Sequence, residues 1–281
     1  MEPSVPFRMF NTAAPRSPVV ISVPHAGRDY PTGCAQLCRV PITKLLRLED
    51  RYADLLVESC ISAGYSTIIA QTPRLWIDLN RAEDDFVDRI GAQRLGTHAS
   101  TKARSGLGLI PTRLSGVGDI WRMPPDAAEL DARVSQYHRP YHAAIGMALE
   151  AARARFGVAV LLDIHSMPPL LGQDSAQIVL GDRFGRAAAM AVTDAARAVC
   201  TMARYRTALN TPYAGAYILE RHGQPMAGVH ALQLEMCRSL YLDETLNAPG
   251  TGLPELQRLI LNVAAAVSES VTDRQMSLAA E

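Results

Sequence analysis

Val158-Ala159-Val160-Leu161-Leu162-Asp163-Ile164-His165-Ser166 is the stretch from which the fold can be read. The apolar run after Gly157 is short and uninterrupted, and Pro168 closes it on the far side. Such a run, bounded by Gly and Pro, predicts a strand from Val158 to Ile164 that is buried on both faces. It then ends on Asp-Ile-His-Ser. A carboxylate and an imidazole at the end of a buried strand are costly unless they are paired or ligated. The carboxyl edge of a parallel sheet is also where α/β folds hold ligands. His165 therefore marks the expected site.

On either side of this strand the chain alternates between strand and helix patterns. Pro18 to Val23 reads as the first strand, running into a Pro24-His25-Ala26-Gly27 turn. Thr43 to Gly64 reads as one helix, with Leu45, Leu48, Tyr52, Leu55 and Leu56 near helical spacing and Gly64 as its stop. Ser66 to Gln71 and Leu75 to Leu79 read as strands. Residues 82 to 125 show little periodicity, and a segment that long suits a functional loop or lid. Asp126 to Phe156 is a long helical pattern, with Pro140 as a candidate break. Ala176 to Leu180 and Val229 to Glu235 read as strands, and Arg186 to Cys200 and Pro254 to Val271 as helices. No internal repeat or domain boundary interrupts the pattern. The expected fold is α/β: a single domain over residues 1–281, with a mixed, mostly parallel sheet and helices on both faces.

Composition narrows the function classes. The 281 residues include 48% hydrophobic residues, enough for a sizeable core. Lys plus Arg and Asp plus Glu stand at 28 each, so no basic field points to nucleic acid. There is no apolar leader and no membrane-length apolar run, so neither secretion nor a membrane partner is expected. Cys34, Cys38, Cys60, Cys200 and Cys237 are odd in number and scattered, which fits free thiols in the cytoplasm. The expected partner is a small molecule; oligomeric state is not legible.

Three constellations carry chemistry. First, His25 and His165 each follow a predicted strand. Neutral imidazole is the commonest metal ligand, and catalytic zinc takes three protein ligands plus an open position. A carboxylate from Glu49, Asp50 or Asp54 can complete the set, although acids on a helix are more often its solvated face. Asp163, two residues before His165, shares its strand face and can orient the imidazole. Second, Asp78-Leu79-Asn80-Arg81 offers Arg81 and Asn80 to a substrate carboxylate; pairing of Arg81 with Asp84 or Asp85 fits equally. Third, Leu232-Gln233-Leu234-Glu235 alternates so that Glu235 is a candidate general base; a salt bridge to Arg238 is the plainer reading. The loop from Asn210 to Tyr217 places tyrosines, Tyr213 among them, as candidates over a pocket, with turn and core roles equally open.

The order His, carboxylate, Asn-Arg, His, Tyr, Glu resembles the zinc carboxypeptidase and aspartoacylase superfamily. It is more similar to the N-formylglutamate amidohydrolase family in Ser22 to Gly27, Glu49 to Asp54, Ile77 to Arg81, Gly106 to Pro111, Pro140-Tyr141-His142, Asp163 to Pro168, Val179 to Gly185, Asn210 to Gly215 and Leu232 to Glu235 with Arg238 and Tyr241. The resemblance implies a Zn2+-dependent hydrolysis of the amide bond of an N-acyl amino acid such as N-formyl-L-glutamate. It matches His25 and His165 to the metal histidines, Asn80 and Arg81 to the pair that holds a substrate carboxylate, and Glu235 to the catalytic Glu. Carboxypeptidases place the carboxylate ligand three residues after the first His, where this chain has Arg28. The ligand then comes from elsewhere, and the resemblance implies Asp50, the family-typical Asp of Glu49 to Asp54, with Glu49 and Asp54 as alternatives. A carboxypeptidase or deacylase of other N-acyl substrates, or a non-catalytic ligand-binding relative, are the other functions these residues fit.

Overall fold

The computed structural model describes residues 5–86, 99–123 and 125–279, with side chains to 272. The strands are β1 (Phe7–Phe10), β2 (Val19–Val23), β3 (Ser66–Ala70), β4 (Arg113–Leu114), β5 (Gly118–Asp119), β6 (Ala159–Met167), β7 (Ile178–Gly181), β8 (Thr207–Leu209) and β9 (Val229–Cys237). Seven of them form one sheet in the order β1-β3-β2-β6-β9-β7-β8, and β4 and β5 make a separate hairpin. Strands β3, β2, β6 and β9 run parallel, while β7 lies antiparallel to β9 with β8 parallel beside it. The protein is thus α/β with a mixed, mostly parallel sheet. Every residue of β2, β3, β6 and β7 is buried, so both faces of these strands are covered.

The chain packs as two compact units. One comprises Met1–Arg8, Pro24–Asp50 and Ala70–Ala143; the other comprises Met9–Val23, Arg51–Ile69 and Ala144–Glu281. The second unit holds most of the sheet. Its closing helix, Leu253–Ala279, packs on the helix Met190–Met202, on the short helices Ala53–Leu56 and Glu58–Ser62, and on β2 and β6. The helix Tyr217–His222 packs against β6 and β9. The five cysteines are free and buried, and no helix among the described residues is long and apolar enough to cross a membrane.

The central strand is longer than its apolar run implies. β6 continues through His165 and Ser166 to Met167, because β9 accompanies it residue for residue from Ala159↔Val229 to Met167↔Cys237. The ladder satisfies the backbone, and the polar side chains find partners of their own, so burial does not end the strand at Ile164.

Other expectations need correction. The helix predicted from Thr43 to Gly64 is in pieces: Ile42–Leu45, a 3-10 turn Leu46–Leu48, then Ala53–Leu56 and Glu58–Ser62. Glu49 is extended and Tyr52 has φ 57°, and the Asp50 amide donates to the His25 carbonyl at 2.9 Å. That tertiary hydrogen bond takes a donor the helix would have used, which a count of leucines cannot reveal. Leu75 to Leu79 is not a strand. Pro73 starts a turn, with the Trp76 amide on the Pro73 carbonyl at 2.8 Å and the Asp78 amide on the Leu109 carbonyl at 2.7 Å. Leu75, Ile77 and Leu79 are buried as their alternation suggests, but no strand lies beside them among the described residues. The helix does not break at Pro140. Ala127–Arg133 leads into a π turn, Val134–His138, and then into Arg139–Phe156. The widened turn lies just ahead of the residue that lacks an amide proton, so the chain accommodates it without stopping. Of the stretch 82–125, residues 87–98 and 124 lie outside the described residues; the remainder includes the helix Thr101–Arg104 and the β4–β5 hairpin.

Gly27 shows how tightly the loop after β2 is seated within the first unit. A Cβ at Gly27 would lie 2.1 Å from the Thr72 carbonyl oxygen, and the neighbouring Asp29 amide donates to the Gln71 carbonyl at 3.0 Å. Gly27→Ala is expected to cost about 1–3 kcal/mol through overpacking against backbone. Thermal unfolding should show this as a Tm lowered by at least a few degrees; an unchanged Tm would mean the loop can part from Thr72 without loss.

Candidate metal centre and catalytic residues

In the first unit, chain geometry gathers charge around His25, two residues beyond the end of β2. Its Nε2 lies 2.7 Å from Asp78 Oδ1, and its Nδ1 faces Asp50 Oδ2 at 3.7 Å. A carboxylate can only accept, so a proton sits on Nε2, and Nδ1 is the nitrogen left to face a cation. Asp78 is completely buried. Burial pushes its carboxyl upward, but Arg74, His25 and Arg81 outweigh that and hold it well below the usual carboxylate range. Arg74 Nε donates to Asp78 Oδ2 at 2.8 Å, and the Asn80 amide donates to Oδ1 at 2.9 Å.

The break in the predicted helix separates the three candidate acids. Glu49 is buried and accepts the Tyr30 hydroxyl, Asp54 lies in the first turn of Ala53–Leu56, and Asp50 sits in the break itself. His25, Asp50 and His165, all buried, each offer one ligand atom, and these atoms lie within 4.8 Å of one another.

In the second unit, the β6–β9 register sets four polar residues side by side. Asp163 pairs with Gln233 and His165 with Glu235, so all four project on one face, while Leu162, Ile164, Leu232 and Leu234 take the other. His165 Nε2 lies 2.8 Å from Asp163 Oδ2, the same carboxylate-on-Nε2 arrangement as at His25. Gln233 Nε2 donates to Glu235 Oε1 at 3.0 Å, with Gln233 and Glu235 both buried. Burial and Arg221 push the nearby His222 down to about 4, partly offset by Asp163, so it is neutral at pH 7. Arg238 is turned to Ser166, its Nε 3.2 Å from the hydroxyl and its NH2 3.3 Å from the carbonyl oxygen.

The residue set tests well against a divalent ion. Two imidazoles and a carboxylate make the three-ligand donor set of catalytic zinc. Each imidazole is also oriented by a buried carboxylate on its far nitrogen, the usual support of a metal-binding histidine.

Arg81 and Asn80 follow Asp78 in the same turn. The Arg81 hydrogen bond runs through Nε, to the Leu107 carbonyl at 3.1 Å, with Asp78 and Asp85 carboxylates at 3.8 and 3.9 Å from that nitrogen. Of the alternative pairings with Asp84 or Asp85, the one with Asp85 is present at long range, and the two terminal nitrogens make no hydrogen bond among the described residues. Tyr213 is half-buried against Met167, Val179 and Cys237, at the carboxyl ends of β6 and β9. Its loop is pinned by Asn210, whose amide bonds Asp182 Oδ1 at 2.8 Å and whose carbonyl accepts the Asp182 amide at 3.0 Å.

Sequence reading did not find the role of Asp78, nor Arg74, Gln233 or His222. Asp78 lay inside a quoted motif, and Gln233 shared the face of Glu235, so both had a signal. His222 had none.

A family model described as N-formylglutamate amidohydrolase matches residues 17–242. An N-formylglutamate deformylase of Pseudomonas aeruginosa is 33% identical over 236 residues, covering 82% of this chain and 84% of the relative. One of Pseudomonas putida is 30% identical over 254 residues with the same coverage. The crystal structure of an N-formylglutamate amidohydrolase from Ralstonia eutropha superposes with a TM-score of 0.84 at 29% identity, covering 97% of this chain and 99% of that one. A gene product of Agrobacterium tumefaciens shares the fold, with a TM-score of 0.68 at 21% identity over 95% of each chain. By the extent of the family match and the identity to these relatives, the chain belongs to the N-formylglutamate amidohydrolase family.

Proposed function

We propose that this chain hydrolyses the amide bond of N-formyl-L-glutamate, consuming water and giving formate and the free amino acid, with a zinc ion held by His25, Asp50 and His165. The observation that carries this reading is the grouping of those three ligands, each histidine braced by a buried carboxylate, in a family whose named relatives are N-formylglutamate deformylases. Residues 1–281 act as one catalytic domain. The balanced charge and buried free thiols support a small-molecule partner and a cytoplasmic setting.

When bound, the ion would supply Lewis acidity. The rest falls to the protein. Asp78 and Asp163 keep the two imidazoles in one tautomer and one orientation. Glu235 takes the proton of the water as its oxygen bonds to the formyl carbon, then gives it to the amine nitrogen as the C–N bond breaks. Gln233, donating to Glu235, favours the ionised carboxylate that can act as base. Arg81, tied at Nε, leaves its outer fork for a substrate carboxylate, with Asn80 and Tyr213 as the other substrate-binding residues. A fixed carboxylate in turn fixes the scissile amide.

Purified protein is expected to hold about one divalent ion per chain. His25→Ala should lose it, and Asp78→Asn or Asp163→Asn should weaken it roughly 10- to 100-fold, read by metal analysis under chelator titration; full occupancy in His25→Ala overturns the ligand set. Glu235→Gln should lower kcat by about 10²–10⁴ with the ion retained; near-normal kcat would remove Glu235 from the proton transfers. Arg81→Met should cut kcat/KM for N-formyl-L-glutamate by roughly 10- to 150-fold, the worth of a charge-assisted contact. It should spare whichever monoamide lacks the carboxylate it reads, and Arg81→Lys should recover part of the loss. If acid and both monoamides slow equally, Arg81 does not bind a substrate carboxylate.

A further inference from the structure

Helix residues 133–142 reach the backbone of the turn that carries Asp78, Asn80 and Arg81, all within the first unit. Three carbonyls of that turn point to three basic side chains. Arg133 NH1 donates to the Trp76 carbonyl at 2.9 Å, His142 Nε2 lies 3.0 Å from the Leu79 carbonyl, and His138 Nε2 lies 2.8 Å from the Arg81 carbonyl. A carbonyl can only accept, so both imidazoles carry their proton on Nε2. Among the described residues the turn has no strand beside it, and these side chains supply the donors a sheet would have given.

The π turn makes this alignment possible. An α-helix advances about 100° per residue, so five residues would leave Arg133 and His138 about 140° apart. Here the Arg139 amide reaches back five residues to the Val134 carbonyl, which brings His138 round toward the side of Arg133. His142 follows four residues on, and its ring stacks on His138 at 4.4 Å between centroids. Arg133 lies over the Trp76 ring at 3.4 Å, which anchors the start of the same turn. His138 and His142 are buried, and Arg139 holds Glu83 beside the His138 Nδ1 edge.

We propose that His138 and His142 are positioning residues for substrate binding: a stacked pair whose hydrogen bonds to the Leu79 and Arg81 carbonyls hold the Arg81 fork in register with the substrate carboxylate. This rests on the reading of Arg81 given above. Nε of Arg81 is already tied to the Leu107 carbonyl, so clamping the main chain at residues 79 and 81 leaves its terminal nitrogens with one reachable position. Without the clamp the guanidinium stays charged but loses its aim.

The test uses the metal-loaded full chain. His138→Phe and His142→Phe keep a ring and remove the donor; His142→Gln restores a donor near the Nε2 position. KM and kcat are measured for N-formyl-L-glutamate and for its two monoamides, alone and in the Arg81→Met background. Each Phe variant is expected to raise KM for the acid about tenfold, the equivalent of about 1.4 kcal/mol, with kcat little changed. The monoamide that escapes Arg81→Met should escape the Phe variants too, His142→Gln should recover most of the loss, and the effect should vanish when Arg81 is already Met. Should a Phe variant fail to fold by thermal melt, His142→Asn, whose amide falls short of the carbonyl, takes its place. A KM effect that persists in the Arg81→Met background, that falls on acid and monoamides alike, or that is absent overturns the clamp while leaving Arg81 in place. If Arg81→Met does not itself separate acid from monoamide, the carboxylate reading fails, and the clamp fails with it.

Discussion

Asp78 is wholly buried and remains ionised, and much of the first unit is arranged around that state. A lone carboxylate in an apolar interior would protonate or unfold the region around it. Here Arg74 bonds one oxygen, His25 and the Asn80 amide bond the other, and Arg81 adds its charge from slightly farther off. The consequence is specific. With an ionised acceptor on Nε2, His25 has one tautomer and presents Nδ1. The same acid shapes the turn from Pro73 to Arg81, so the ring of His25 and the guanidinium of Arg81 are set by one buried charge.

In the second unit the corresponding constraint is the parallel β6–β9 ladder. Strands covered on both faces normally read as unbroken apolar runs. This pair keeps Leu162, Ile164, Leu232 and Leu234 on one face and concentrates its polar residues, in register, on the other. Each polar residue lowers the cost of its neighbour: Asp163 accepts from His165, and Gln233 donates to Glu235. Gly181, opposite Gln233 in antiparallel β7, has no room for a side chain, since its Cβ would lie 2.7 Å from the Ala214 carbonyl carbon. The loop carrying Tyr213 thereby comes down close to this edge.

These arrangements decide which readings of individual residues survive. Asp163 as the partner of His165 needed only strand alternation and is found. Glu235 was open between a base and a partner of Arg238; Arg238 bonds Ser166, and Glu235 accepts from Gln233. Arg81 against Asp84 or Asp85 was also open; its contacts with Asp78 and Asp85 are long and share Nε, so neither consumes the fork. Asp50 could not be chosen from helical spacing, because the helix on which that spacing was counted does not exist at residues 49–52.

The amino-acid sequence by itself determined the elements whose identity depends on neighbours along the chain: the apolar strands β2, β3 and β6, the alternation in β9, the closing helix, and the histidines and Glu-bearing strand they deliver. It did so because burial on both faces, or on alternate faces, leaves a local pattern. Tertiary structure alone decided what depends on partners distant in sequence. The His25 carbonyl drawing the Asp50 amide broke a helix that leucine spacing favoured. Donation by Arg133, His142 and His138 to the carbonyls of Trp76, Leu79 and Arg81 let Leu75 to Leu79 be a turn in spite of its strand-like alternation. Hydrogen bonds of this kind join residues up to 63 positions apart, as His142 does to Leu79, and leave no periodic mark on either segment.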